Sequence, residues 1–179
     1  MVDFEYFEKS AKRFQPKLIV TGGSAYPRDW DYSRFAKTAK ILNSVLMADI
    51  SHFSGLVAAK ILNDPFEHCD IVMSTTHKTL GGPRGALIFY KNELKSKINF
   101  SVFPHCQGGP HNNNIAAIAV RLKEISENKK KYVEDCEQIV SNAKELAKCL
   151  SDNGFHIMAG GTDTHLILWN LKKVSNNFL

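Results

Sequence analysis

Four short apolar runs constrain the fold of this chain most. They are Lys17-Leu-Ile-Val-Thr21, Ser44-Val-Leu-Met-Ala-Asp49, Asp70-Ile-Val-Met-Ser-Thr75 and Gly85-Ala-Leu-Ile-Phe-Tyr90. Each has the length of a strand, and a continuous apolar run is what a strand buried on both faces needs. Helical patterns separate them. Phe4, Phe7, Ala11 and Phe14 recur at helical spacing, so residues 3–14 are predicted to form an amphipathic helix, stopped by Pro16. Asp31 can cap a helix over 31–43, and a short helix is expected over Val57–Leu62. Strands alternating with helices predict an α/β fold with a mainly parallel sheet and flanking helices.

Residues 113–125 and 132–150 are the most helical part of the chain. Ile115, Ile118, Ala119, Leu122 and Ile125 make one stripe; Val133, Cys136, Val140, Ala143, Ala147 and Leu150 make the next. Core packing is the expectation for both. Gly154 closes the second helix. Phe155–Met158 and His165–Leu171 then read as strands around Gly160-Gly161, the start of another unit. The expected division is therefore 1–150, a partial large domain with long connecting helices, and 151–179, the beginning of a small C-terminal domain.

Composition narrows the function classes. The chain has 179 residues and a net charge of +5, with 44% hydrophobic and 23% charged residues. The dense basic run Lys129–Lys131 lies on a polar helical stretch, which suits a solvated face better than nucleic acid, and a basic balance also suits an anionic small ligand. The four cysteines, Cys69, Cys106, Cys136 and Cys149, form no CxxC pair, and free reduced thiols in an intracellular protein are expected. The histidines lack the spacing of a metal site, so none is expected. The N-terminus is too charged for a signal peptide and too acidic for a transit peptide, and no apolar stretch approaches the roughly 20 residues of a membrane span.

Chemistry concentrates at strand ends. In open α/β sheets ligands bind outside the C-terminal ends of the strands, and Ser24, Asp49 with His52, and Thr75 to Lys78 all follow such ends. Lys78 in Ser74-Thr-Thr-His-Lys-Thr79 could be a desolvated amine able to form an imine with an aldehyde; a surface lysine in a polar loop fits the same hexamer. Asp49 needs a partner at the end of an apolar strand. A protonated pyridine nitrogen would serve, as would a structural hydrogen bond. Gly81-Gly-Pro-Arg-Gly85 is a constrained turn carrying a cation, and Gln107-Gly-Gly-Pro110 offers backbone amides that suit a phosphate or a plain turn.

Taken together, SAYPRDWDY, LMADISHFSGLVAAKI, PFEHCDIVMSTTHKTLGGPRGALIFY, INFSVFPHCQGGPHNNNIAAIAV and GGTDTHLIL resemble serine hydroxymethyltransferase, in order and over most of the chain. The resemblance implies an aspartate-aminotransferase-like, pyridoxal-phosphate-dependent transferase large domain, present in part, plus the start of the C-terminal α+β domain. It implies Lys78 as the lysine that binds pyridoxal 5'-phosphate covalently, and Asp49 as partner of the pyridine nitrogen. His52 and Ser24 match residues near the cofactor's phenolic oxygen. Thr75 and His77 match the threonine and histidine of the active site, and Arg84 an arginine near it. Gly108 and Gly109 match a loop that reaches the phosphate in a neighbouring subunit. Gly81 departs from the many members that carry arginine there.

The implied reaction interconverts serine and glycine with tetrahydrofolate as one-carbon acceptor and co-substrate, in a homodimer or homotetramer. The expected location is cytoplasmic, with mitochondrial as the alternative. The family's substrate-binding tyrosine and glutamate, its phosphate-binding Ser-Gly segment, its ring-stacking histidine and its carboxylate-gripping arginine have no counterpart between Met1 and Leu179. The 179 residues alone are therefore expected to be inactive. Two other readings remain open: a truncated, non-catalytic paralogue acting as a dimerisation module, and an enzyme on β-hydroxy amino acids that uses no folate.

Overall fold

A computed structural model describes residues 1–173. The first half follows the predicted alternation: α1 (Phe4–Phe14), β1 (Leu18–Gly22), α2 (Tyr32–Leu42), β2 (Val45–Asp49), α3 (Ser54–Ala58), β3 (Ile71–Thr75) and β4 (Ala86–Tyr90). The caps are those the side chains allow. The Asp3 carboxylate accepts from the Tyr6 amide at 2.9 Å, and that of Asp31 from the Arg34 amide at 3.2 Å. Helix α1 ends with Gln15 in the left-handed conformation, just before Pro16. Helix α3 lies three to four residues earlier than the expected 57–62, because Gly55, Leu56 and Val57 are buried and the chain turns at Lys60 with φ +60°.

The four strands form one sheet in the order β1-β2-β3-β4. β1, β2 and β3 are parallel, and β4 returns antiparallel to β3. Gly22 stands opposite Asp49, and Asp49 opposite Met73, so the C-terminal ends of the three parallel strands share one rim. Ile19, Leu46, Ala48 and Val72 of the sheet, Tyr32, Phe35 and Ala39 of α2, and Leu56 of α3 make the centre of the core. Phe4 and Phe7 bring α1 onto it, each about 5 Å from the Phe35 ring centre (5.0 and 4.9 Å). Burying an apolar side chain of this size stabilises by roughly 1.5–3 kcal/mol.

Residues 92–106 carry little periodicity and coil into short turns around α4 (Lys95–Phe100), with no buried residue. α5 (Asn112–Glu127) and α6 (Lys129–Asp152) follow. α6 meets its expectation: Cys136, Val140, Ala143 and Ala147 are buried, and Gly154, at φ +83°, follows its end. Its first turn is solvated, with Lys131 paired to Asp135 at 2.5 Å.

The α5 stripe departs from expectation. No residue of α5 is buried, and Ile115 is 55% exposed. Ile118, against Gly85, Arg121, on the Leu80 carbonyl, and Asn114, on the Arg84 carbonyl, tie it to the sheet's loops. Cys149, on α6, is exposed as well. All four cysteines are free.

The expected terminal hairpin is reduced to one bridge, Ile157 to Trp169, with flanking bonds from the Met158 amide to the Leu168 carbonyl and from Asn170 to His156. Two strands without a third neighbour are marginal. Here the connection is bent by three successive positive φ angles at Ala159, Gly160 and Gly161.

Candidate active site

β1 reaches the rim at Gly22, which has φ +128°. A Cβ there would lie 2.1 Å from the Asp49 carbonyl oxygen, so only glycine lets the β1 end approach β2 this closely. The exposed Ser24 follows two residues later.

β2 delivers Asp49. One carboxylate oxygen accepts from the Ser51 amide at 3.0 Å; the other has no hydrogen-bond partner among the described residues. Ser51 is the hinge between β2 and β3. Its hydroxyl accepts from the Thr75 amide at 3.1 Å, and its carbonyl accepts from the Thr75 hydroxyl at 3.3 Å.

Lys78 Nζ donates to Thr75 Oγ1 at 3.2 Å. The one hydroxyl proton of Thr75 is committed to Ser51, so toward Lys78 it can only accept. The lysine is half-buried and forms no ion pair among the described residues. Next to it His77 is half-buried, with Nδ1 buried and without a partner. An unmet buried nitrogen costs about 1–3 kcal/mol, and such groups cluster where a ligand or water completes the site.

His52 is held below its ordinary value, first by burial and then by the Lys78 charge, with Asp49 opposing. Lys78, Asp49 and His52 therefore lie within electrostatic reach of one another. Thr79 fixes the turn: its hydroxyl donates to the His52 carbonyl and accepts from the Gly55 amide, both at 3.0 Å.

The structure thus gathers Lys78, Thr75, His77, Asp49 and His52, with Ser24 at the same rim. It does not gather the other three expected residues. Arg84 is exposed, and its carbonyl, not its guanidinium, is engaged, by Asn114 at 3.2 Å. Gly108 and Gly109 are exposed and face open space.

Four contributors escaped the sequence. Ser51 and Thr79 are plain hydroxyls whose roles need the fold. Arg121, on the helix α5, donates to the Leu80 carbonyl at 3.1 Å and sits where a side chain at Gly81 would project. His165, from beyond α6, is half-buried with an unpartnered Nδ1, and is held below its ordinary value first by burial and then by the charge of His52.

The amine, the half-free carboxylate and the hydroxyls fit the chemistry of an aldehyde-bearing pyridinium ring. The serine hydroxymethyltransferase family model matches residues 1–177. The chain belongs to the serine hydroxymethyltransferase family. Among its relatives, serine hydroxymethyltransferase 7 of Arabidopsis thaliana is 44% identical, over 95% of this chain and 31% of its own length. The mitochondrial serine hydroxymethyltransferase of Candida glabrata is 46% identical over 97% of this chain and 39% of its own. The chloroplastic serine hydroxymethyltransferase 3 of Arabidopsis thaliana is 47% identical, over 96% and 33%. The chain spans about a third of the length of these curated relatives. Among the described residues, no helix is long and apolar enough to cross a membrane.

Proposed function

We propose that this chain forms the cofactor-holding rim of a serine hydroxymethyltransferase, and that the intact protein interconverts serine and glycine with tetrahydrofolate as co-substrate. The observation that carries this is the Lys78 amine, 3.2 Å from Thr75, at a rim shared with Asp49 and His52. Pyridoxal phosphate, when bound, supplies an electron sink for the bond-breaking step.

The chain's own residues supply the rest. Lys78 offers the amine for covalent attachment. Thr75 holds that amine at its nitrogen without taking up the lone pair. Asp49, anchored on one side by the Ser51 amide, keeps an oxygen for a pyridinium proton. His52 and Ser24 present polar groups to the ring's phenolic oxygen, and His77 lends an unpaired Nδ1. Gly108 and Gly109 stand in open space, which suits a loop serving a neighbouring subunit in a homodimer or homotetramer. The phosphate ligands and the grip on the serine carboxylate then come from polypeptide outside these residues. The large-domain and small-domain division at about residue 150, with an aspartate-aminotransferase-like fold, belongs to the same proposal.

The test is folate-dependent conversion of serine to glycine by the intact protein. The proposal expects turnover that is lost in Lys78→Ala, and no turnover by residues 1–179 alone. Serine cleavage that ignores tetrahydrofolate would contradict it.

A further inference from the structure

The turn that follows Lys78 does not satisfy its own backbone. The Gly81 amide donates to the Lys78 carbonyl at 2.9 Å, and the Gly82 amide to the Thr76 carbonyl at 2.7 Å. Both bonds tie the loop back onto the segment that carries the lysine. The carbonyls of Thr79 and Leu80 accept from no backbone amide among the described residues, and Leu80 is buried. A buried carbonyl without a donor is costly. Two helix side chains meet the need. Arg121 of α5 donates from Nε to the Leu80 carbonyl at 3.1 Å, and Tyr132 of α6 donates its hydroxyl to the Thr79 carbonyl at 3.4 Å. Burial pushes the Tyr132 phenol from 10.0 up to about 12, so at neutral pH it keeps the proton it donates.

The same side chains meet each other. The Arg121 guanidinium lies 5.8 Å from the Tyr132 ring centre, and its Nη1 is 3.3 Å from Glu124. The loop leaves room for it. Gly81 has φ +72°, and a Cβ there would lie 3.0 Å from Arg121 Nη2. Ile118, three residues earlier and on the same face of α5, reaches the loop at Gly85. One face of an otherwise open helix is thus seated on the loop after Lys78.

The lysine stem is a flexible chain of four carbons, so the place of its amine depends on a fixed backbone. The amine rests on Thr75 at 3.2 Å.

We propose that Arg121 is a positioning residue for Lys78: by holding the Leu80 carbonyl from α5, it fixes the turn from which the lysine amine reaches Thr75. The proposal rests on the reading of Lys78 as the attachment site. It gives α5 a part in the rim although α5 supplies no group to it.

The test uses intact protein without added pyridoxal phosphate. NMR of lysine-labelled protein reads the ε-methylene signals of Lys78, assigned through Lys78→Ala, and deuterium exchange reads the Gly81 and Gly82 amides. Arg121→Ala is expected to move the Lys78 signals toward those of the exposed lysines. The two amides should exchange about tenfold faster, the size of one lost hydrogen bond from a charged donor. Arg121→Lys, which keeps a charged donor for the Leu80 carbonyl, should return both readings toward the starting protein. Lys123→Ala, which removes only an exposed pair with Glu127, should leave both unchanged. Should Arg121→Ala fail to fold, Tyr132→Phe, which removes only the hydroxyl on the Thr79 carbonyl, is expected to shift Lys78 in the same direction by less.

Lower thermal stability with unmoved Lys78 signals, in folded Arg121→Ala or in the Tyr132→Phe that replaces it, would overturn the proposal. So would an Arg121→Lys that recovers nothing. A protein that shows this coupling but takes up no pyridoxal phosphate would refute the cofactor reading and leave the Arg121 proposal standing.

Discussion

The segment from α1 to β3 and the helix α5 both carry apolar patterns, the weaker one in α5, and they meet opposite fates. Phe35 of α2 is 5% exposed, clamped by Phe4 and Phe7. Leu122 of α5 is 39% exposed and Val120 58%. An amphipathic pattern marks a face that a helix can bury, and in α5 that face is left open. A chain about a third as long as its relatives has room for both outcomes. The same contrast divides the cysteines, buried at Cys69 and exposed at Cys106.

Thiol chemistry gives the largest expected difference between the two regions. Burial, with the Asp70 charge beside it, pushes the Cys69 thiol from 9.0 up to about 12. Alkylation of native protein at neutral pH should be more than about tenfold slower at the buried Cys69 than at the exposed Cys106, since the thiolate is the nucleophile and must be reached. Peptide mapping after timed iodoacetamide exposure measures this. Comparable rates would mean the first region is not packed as described.

Truncation of the clamped ring comes next. Phe35→Ala should cost about 3–5 kcal/mol in urea unfolding, the range for a well-packed aromatic. A loss under about 1 kcal/mol would break the contrast with α5.

The rim adds a pH dependence. His52 and His165 are both held below the ordinary imidazole value of 6.5, with burial the first cause in each. As pH falls through 6.5 the unfolded chain takes up protons before the folded one, so stability drops with pH below about 6.5. Above that value both states are neutral at these residues and the contribution is flat. His165→Asn should shallow the slope on the acid side; an unchanged slope would show that His165 is not buried in the folded chain.

The smallest effect is expected at α5. Leu122→Ala in residues 1–179 should change stability by no more than about 0.5 kcal/mol, as for a surface position. The same change in the intact protein should cost more, because the pattern there has something to cover. Equal, small losses in both would mean the α5 stripe has no partner at all.

Much of this is legible in the sequence. Period and length alone placed α1, α2 and all four strands, but the burial on both faces that the apolar runs predict fails at β1, where Leu18 and Val20 are exposed, and at β4, where Ile88 and Phe89 are exposed. The rim followed from the same strands, since parallel strands bring Gly22, Asp49 and Thr75 to one edge.

What could not be read depends on contacts distant in sequence. Ser51 and Thr79 look like ordinary loop hydroxyls until β2 and β3 are paired. Leu80 and Arg121 lie 41 positions apart along the chain, and nothing local to either announces the other. Residues 155–171 alternate well enough for a hairpin, but the left-handed turn at Ala159 and the Arg28 guanidinium on its carbonyl replace strand pairing with side-chain bonds. Arg84 shows the converse: it is a cation in a tight turn near Lys78 in sequence, yet it is exposed, and its carbonyl is engaged by Asn114.

Lys78 remains the central claim, and covalent mapping tests it most directly. The intact protein is incubated with pyridoxal phosphate, reduced with borohydride, digested and analysed by mass spectrometry. The account predicts one pyridoxyl-modified peptide, carrying the modification on Lys78 and absent from Lys78→Ala. Modification spread over the exposed lysines, or none on Lys78 in folded protein, would contradict it.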